Sequence, residues 1–351
     1  MNTRNYLPAE WAPQSGVMLT WPRSDGDWSP DYPSVEQCHV QLAKEISLRE
    51  QVLITCMDQA HAARISSLMK ASGGKIERLH LYALPSNDAW ARDHGPITVF
   101  RNGKPLLLDF IFNGWGNKYP HSFDNQITAK LHQRGAFGAT PLEYQPLVLE
   151  GGSIEADGAG TLLTTESCLL NPNRNPSLPR SEIEQKLHEL LGIERILWLR
   201  HGAIDGDDTD GHIDTLARFC DSRTIAYQAC DDRNDPHYPE LKAMEDELRG
   251  LRHQDGQPYT LVPLPWPRAI FDANGRRLPA TYANFLIING AVLIPTYNDA
   301  ADTKALAVFR SIFTDRQVVA VMCRPLIYQY GSLHCVSMQL PEGVITAERS
   351  I

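Results

Sequence analysis

Short apolar runs alternate with segments of helical periodicity along almost the whole chain. Val17-Met18-Leu19-Thr20-Trp21 reads as a strand, and residues 51–56 as another. Between them, residues 34–50 place Val35, Cys38, Leu42 and Ile46 on one face of a helix. Asp58 can cap a second helix that runs to about residue 72. Ser181-Glu182-Ile183-Glu184 has the S-x-x-E form of a capping box and predicts a helix from there to about residue 191. Ile196-Leu197-Trp198-Leu199 then reads as a buried strand. Residues 97–100, 285–288, 292–294 and 318–322 are further apolar strands, with a helix over residues 304–313 between the last two. This alternation predicts an α/β protein.

The 351 residues would by length alone allow two domains. However, the 24 glycines and 24 prolines are spread evenly, and no charged or Ser/Gly-rich linker divides the chain. Residues 1–351 are therefore read as a single domain. Hydrophobic residues at 42% and charged residues at 21% exclude a disordered, coiled-coil or collagen-like chain. The longest apolar stretch, residues 285–295, is too short to cross a bilayer and is broken by Asn289-Gly290. Residues 1–8 have no apolar core, so no signal peptide is expected. The seven cysteines are odd in number and none pair as C-x-x-C, which fits reduced thiols in a cytoplasm better than a disulfide framework or zinc ribbon. The formal charge of −9 disfavours general nucleic-acid binding and mildly favours a cationic ligand.

Several common motifs are missing. There is no G-K-[ST] phosphate loop, no H-E-x-x-H and no G-x-S-x-G elbow. The acidic run at residues 205–211 fails as an EF-hand, because Gly206 and Ala217 would occupy its first and last ligand positions.

Four other segments set reactive groups beside apolar or glycine-rich backbone. They are residues 87–96, 147–154, 208–216 and 330–337. Each has a plain structural reading: Asp93 as a turn cap before Gly95-Pro96, and Glu150 as a surface residue before Gly151-Gly152. His212 and Asp214 stand two apart, so an extended backbone would turn both to one face, as general-base chemistry prefers. Cys56, Cys323 and Cys38 sit in apolar patterns and read as core thiols. Cys168 and Cys220 are ambiguous. Cys335 follows Gly331, whose missing side chain permits close backbone approach, a setting that suits a nucleophile.

If Asp93, Glu150, His212, Asp214 and Cys335 converge, one cleft holds a thiol, an imidazole and three carboxylates. Nearby carboxylates weaken a thiol nucleophile, so the arrangement makes sense only for a strongly cationic substrate. A guanidinium is such a cation. Its fork of donors matches carboxylates bidentately, and its charge favours the thiolate and makes its central carbon electrophilic. His212 would protonate the departing ammonia and then activate water.

Four ordered motifs carry a resemblance. They are Asn87-Asp88-Ala89-Trp90-Ala91-Arg92-Asp93-His94-Gly95-Pro96, Leu149-Glu150-Gly151-Gly152-Ser153-Ile154, Asp208-Thr209-Asp210-Gly211-His212-Ile213-Asp214 and Leu333-His334-Cys335. Together they resemble the agmatine deiminase family of the guanidine-modifying, or pentein, superfamily. The match continues through residues 168–176, Tyr282-Ala283-Asn284-Phe285, Glu10-Trp11 and Trp21-Pro22.

The resemblance implies a pentein α/β-propeller, five ββαβ-type modules around a pseudo-fivefold axis with the site at the centre. It implies Cys335 as nucleophile, His212 as general acid/base, Asp93 and Asp214 on the guanidinium, and Glu150 assisting His212 or a substrate nitrogen. Trp90 would pack on the aliphatic chain, Asp208 would take the remote amine, and Asn284 would join the substrate-binding residues. The expected reaction converts agmatine to N-carbamoylputrescine and ammonia, with no metal or organic cofactor, no nucleic-acid or membrane partner, and room for a homodimer.

Departures from the family pattern lie near the mouth. Tyr330-Gly331-Ser332-Leu333 stands where many relatives have a glycine-rich run, and Asp210 and Thr215 replace commoner asparagines. The bacterial peptidylarginine deiminase branch uses arginines to hold a substrate carboxylate. Residues 112–117 here contain none, which favours a substrate without that group. Deimination of peptidyl or free arginine, and a non-catalytic guanidine or polyamine binder, remain the alternatives. A papain-like protease is disfavoured because His212 precedes Cys335 in the chain.

Overall fold

The structure, a computed structural model, describes residues 4–345. These residues form five small sheets that repeat one plan: an antiparallel strand pair, a helix, and a third strand parallel to the second. One unit pairs Ile97–Arg101 with Lys104–Ile111, passes through the helix Ile127–Gln133 and returns as Leu142–Val148. The next uses Glu155–Ala156, Thr161–Thr165, the helix Arg180–Leu191 and Arg195–Leu199. A third uses Ala217–Phe219, Thr224–Gln228, the helix Tyr238–Gly250 and Thr260–Leu264. The fourth uses Leu286–Ile288, Ala291–Thr296, the helix Ala301–Ile312 and Gln317–Met322.

The fifth unit joins the two ends of the chain. Ser337–Pro341 pairs antiparallel with Gln14–Thr20, which then continues through the helix Tyr32–Ser47 to the parallel strand Gln51–Cys56. A further helix, Gln59–Ser72, and the strand Leu79–Ala83 extend this sheet. The fold is thus the expected pentein α/β-propeller of five ββαβ units about a pseudo-fivefold axis. No helix among the described residues is long and apolar enough to cross a membrane.

Local chemistry explains most element ends. The predicted stripe Val35, Cys38, Leu42 and Ile46 is buried on the helix Tyr32–Ser47, with Pro33 in its first turn, where no backbone donor is needed. The Asp58 carboxylate accepts the His61 N–H at 2.7 Å, and Gly73 ends that helix in the left-handed conformation (φ 82°) that glycine adopts without a Cβ penalty.

One local expectation is corrected. The helix predicted from a Ser181–Glu184 capping box begins one residue earlier, at Arg180, with Pro179 at the cap and no side-chain cap bond. The fixed ring of Pro179 starts the helix, and Glu184 turns instead to Arg180 and the Trp198 indole, each at 2.9 Å. The apolar strand near residue 320 is an outer strand, largely half-exposed. Gln41, on the helix Tyr32–Ser47 of the neighbouring unit, covers its edge by donating to the Ala320 carbonyl and accepting the Met322 N–H.

Candidate active site

The five units deliver the site by one rule. Each places a polar segment immediately before its first strand. Asp93 precedes Ile97–Arg101, Glu150 precedes Glu155–Ala156, and His212 with Asp214 precedes Ala217–Phe219. Asn284 precedes Leu286–Ile288, and Cys335 precedes Ser337–Pro341. All six residues are buried, so Glu150 is not the surface residue, nor Asp93 the simple turn cap, that their local sequences allow. His212 and Asp214 are not on a strand. Ile213–Thr215 is a single 3-10 turn with His212 at its cap, and the two side chains meet by curvature of that turn rather than by strand alternation.

Gly152 marks the point of convergence. A Cβ there would stand 2.5 Å from His212 Nδ1, 3.0 Å from Asp93 Oδ1 and 3.1 Å from Asp214 Oδ2. Glycine is required so that three ionisable side chains can close on one another. The close approach at Gly331 is of a different kind: a Cβ there would overlap the Trp90 ring, which lies flat against the chain leading to Cys335.

The partners of each group set its charge. Asp93 accepts the Gly152 N–H and the Trp115 indole N–H, both at 3.0 Å. Burial, reinforced by Asp214 and Glu150, raises its pKa to about 6 against the opposing pull of His212. Glu150 takes the Arg174 Nε on both oxygens, at 3.0 and 3.1 Å; although burial opposes its charge, His212 and Arg174 hold it below the usual range. Arg174 is fixed in turn by Asp210 and the Thr209 carbonyl.

His212 faces Asp93 from Nδ1 at 3.7 Å and Glu150 from Nε2 at 3.8 Å. Burial works against its charge, but Asp93, Cys168 and Glu150 together hold its pKa well above the ordinary histidine value. Among the described residues neither ring nitrogen has a hydrogen-bond partner, which leaves an imidazolium with donors to give.

The Cys335 sulfur is served by other groups. It lies 3.2 Å from Asn284 Nδ2 and 3.8 Å from Asp214 Oδ2. Burial, then Asp214 and Asp93, push its pKa well above the usual thiol value. Asn284 also accepts the His334 N–H at 2.8 Å, so it ties the backbone just before Cys335 to the Cys335 sulfur. It touches Cys335 instead of lining the cleft.

A narrow cleft runs from Cys335 and Asp93 past Trp90, Trp115 and Gly331 to Tyr119, Tyr330 and Asp208. Asp27 and Asp88 line it as well. Asp88 is half-buried, accepts the Trp90 indole N–H at 2.9 Å, and is raised to about 7 by desolvation, with Asp27 and Asp208 adding to the effect. Asp208 accepts the Tyr119 hydroxyl at 2.7 Å. An arginine does reach the mouth, from a segment the 112–117 comparison could not find: Arg276 stacks over the Tyr330 ring at 4.0 Å.

Sequence reasoning assigned no role to Trp115, Arg174, Asp88, Cys168 or His334. Trp115 sits between two glycines and has a positive φ of 55°, a turn that aims its indole at Asp93. Arg174 stood in the quoted 168–176 match, and His334 is the neighbour of Cys335. Cys168 lies with Glu150 and His212, one ligand atom from each within 4.8 Å of the others, a spacing a metal ion could bridge. Arg174 already occupies both Glu150 oxygens there, so a cation is in place at that carboxylate.

The chain is similar to known proteins over most of its length. The family model for Porphyromonas-type peptidyl-arginine deiminase matches residues 6–341. A protein named agmatine deiminase from Stutzerimonas stutzeri is 33% identical over 96% of this chain and 95% of its own. Among solved structures, a Porphyromonas gingivalis protein described as a candidate arginine deiminase is 51% identical at a TM-score of 0.92, covering 98% of this chain and all of its own. The C. jejuni agmatine deiminase with substrate bound is 36% identical at a TM-score of 0.89, covering 97% of each chain. With the family model matched over residues 6–341 and the fold shared, the chain belongs to the Porphyromonas-type peptidyl-arginine deiminase family, with agmatine deiminases among its relatives.

Proposed function

We propose that this protein is a cytoplasmic agmatine deiminase, hydrolysing agmatine to N-carbamoylputrescine and ammonia. The observation that carries the reading is the distribution of carboxylates in one cleft. Asp93 and Asp214 lie at the Cys335 end, and Asp27, Asp88 and Asp208 lie along the cleft. A substrate with a guanidinium at one end and an ammonium at the other has a counter-charge for each. Removing two cations from water costs several kcal/mol per ion unless both are paired.

The chemistry follows from the charges. The bound guanidinium compensates Asp93 and Asp214 and so stabilises the Cys335 thiolate, which free-enzyme electrostatics disfavour. The sulfur attacks the central carbon and forms a neutral tetrahedral adduct. The His212 imidazolium gives its proton to the departing nitrogen, the C–N bond breaks, and ammonia leaves a cationic thiouronium on Cys335. His212 then takes a proton from water, the oxygen adds to the same carbon, and as the C–S bond breaks the hydroxyl proton passes to the leaving sulfur, releasing the ureido product and the Cys335 thiol. General acid–base assistance of this kind is worth about 100- to 10,000-fold. Glu150 keeps His212 charged and in place, Trp90 packs on the methylene chain, and Asn284 orients the nucleophile. These roles draw on all five units, which supports treating residues 1–351 as one domain.

One observation favours a second reading. Arg276 at the mouth is a ready partner for a carboxylate, as free arginine or a carboxyl-terminal arginine would carry. Purified protein incubated with agmatine, free arginine and arginine-terminated peptides, with ammonia and ureido product measured, separates the two. Turnover of agmatine is expected. Turnover of a peptide without turnover of agmatine would overturn the substrate assignment.

A further inference from the structure

The thiol proton of Cys335 needs a destination in this reaction. Cys335 must lose it before attack, yet both nitrogens of His212 face carboxylates, and the polar partners of the sulfur are Asn284 and Asp214. Asp214 is the acceptor in contact with the sulfur, and it does not stand alone. Its Oδ2 also meets His334 Nδ1 at 2.8 Å. The other ring nitrogen, Nε2, meets Glu10 Oε2 at 2.7 Å. Glu10, His334 and Asp214 are all buried, so no bulk water intervenes.

Two such hydrogen bonds require two protons on the three groups. They are satisfied by an imidazolium between two carboxylates, or by a neutral ring with one carboxyl protonated on either side. These arrangements carry the same net charge and differ only in where a proton sits. The surroundings keep them in competition. Burial, Arg218 and Arg92 work against a charged His334 ring, while Glu10 and Asp214 favour it. Arg218 also stands 2.8 Å from Glu10 Oε2 and is bonded to Glu155, and Arg92 lies 3.6 Å from the same Glu10 oxygen.

Glu10 and His334 line a second, small cavity that shares no lining residue with the substrate cleft. Gln14 Oε1, Thr98 Oγ1 and Arg92 Nη2 belong to residues lining this cavity, and among the described residues these buried atoms have no hydrogen-bond partner. Polar atoms of that kind gathered around one space are satisfied by water.

We propose that Asp214, His334 and Glu10 form a proton path from the Cys335 thiol to this second cavity, with Glu10 and His334 acting as positioning and relay residues behind the nucleophile. This rests on Cys335 being the nucleophile. The Sγ–H bond breaks as the proton passes to Asp214 Oδ2. In the imidazolium form Nδ1 already holds its proton, so Asp214 Oδ2 keeps the one from sulfur while still accepting the Nδ1 N–H; the Nε2 proton moves to Glu10 Oε2, and Glu10 releases it to water in the cavity. The thiolate remains, paired with the substrate cation. The proton leaves by the back because the substrate fills the front.

The test uses His334→Gln, whose amide keeps polar contact with both carboxylates yet cannot pass a proton, and Glu10→Gln, which keeps the shape and loses the acceptor. Wild-type turnover and Cys335→Ala are measured first. Retained activity in Cys335→Ala sinks the nucleophile assignment by itself. The relay is then read in two ways, with thermal unfolding checking that each variant is folded. In steady state both variants should lose tenfold or more in kcat with little change in KM, and the limb of the pH–rate profile that reports thiol ionisation should move. In a turnover-independent assay, the rate at which a cationic haloacetamidine alkylates Cys335 should fall by a similar factor. Imidazole added to His334→Ala should restore part of both rates, since a merely structural ring would not be replaced by a diffusing base. If His334→Gln is folded and both kcat and the alkylation profile match wild type, the path is wrong. If that variant does not fold, the same result in Glu10→Gln overturns it.

Discussion

Asp93 carries a strong pH signature. Burial and two neighbouring carboxylates raise its pKa to about 6, so in the free enzyme it is ionised above that pH and neutral below it. Guanidinium binding needs the ionised form. The ratio kcat/KM should therefore hold steady above pH 7 and fall as pH drops through about 6, and a pH–rate profile measures this directly. Asp93→Asn should remove that limb and lower kcat/KM by at least about 100-fold, the scale of losing a charge-assisted contact in a buried site. Cys335 makes a complementary prediction. With its pKa held well above the usual thiol value, it should resist neutral iodoacetamide near pH 7 and react with a haloacetamidine, whose cation supplies the missing counter-charge. Mass spectrometry of the labelled protein distinguishes the outcomes. Rapid labelling of Cys335 by iodoacetamide would show that the free thiol is already ionised. The types of these residues were legible in the chain. Their charge states were not, because each depends on neighbours more than 50 positions away.

At the scale of elements, the chain announced strands and helices through local rules that hold wherever the local competitor is weak. The stripe on the helix Tyr32–Ser47 and the Asp58 cap are such cases. Asp58→Ala should lower stability by about 1 kcal/mol and leave activity unchanged, as chemical denaturation and a standard assay would record. The Ser181–Glu184 box failed because Pro179 fixes the start of that helix and Glu184 finds better partners in Arg180 and Trp198. Short functional turns are less legible still. The Gly151–Ser153 turn is a single 3-10 turn whose glycine at 152 is demanded by side chains from two other units. Gly152→Ala should cost at least about 100-fold in kcat while leaving the unfolding midpoint close to wild type, because the added methyl displaces His212 and the carboxylates rather than a core side chain. A large loss of stability with little loss of activity would contradict this account.

For the whole molecule, the decisive feature is closure of the ring by Ser337–Pro341 against Gln14–Thr20. Cys335 lies two residues before that strand, so the proposed nucleophile is placed by the same pairing that closes the fold. Ending the chain at residue 336 should keep every proposed catalytic residue yet expose the edge of Gln14–Thr20. Loss of activity and a lower, less cooperative urea transition are expected, with circular dichroism as the readout; a fully active truncated chain would refute the coupling. The sequence by itself determined the alternation of strand and helix, the reactive residue types, and their order in four motifs, since hydrophobic period and motif spacing are local properties of the chain. Only the tertiary structure decided that five segments, each just before the first strand of its unit, meet at one axis. It alone brought Trp115, Arg174 and His334 behind the named residues, carried Arg276 to the mouth, and set the pKa of Asp93, because burial and Coulomb interaction act through space and take no account of separation along the chain.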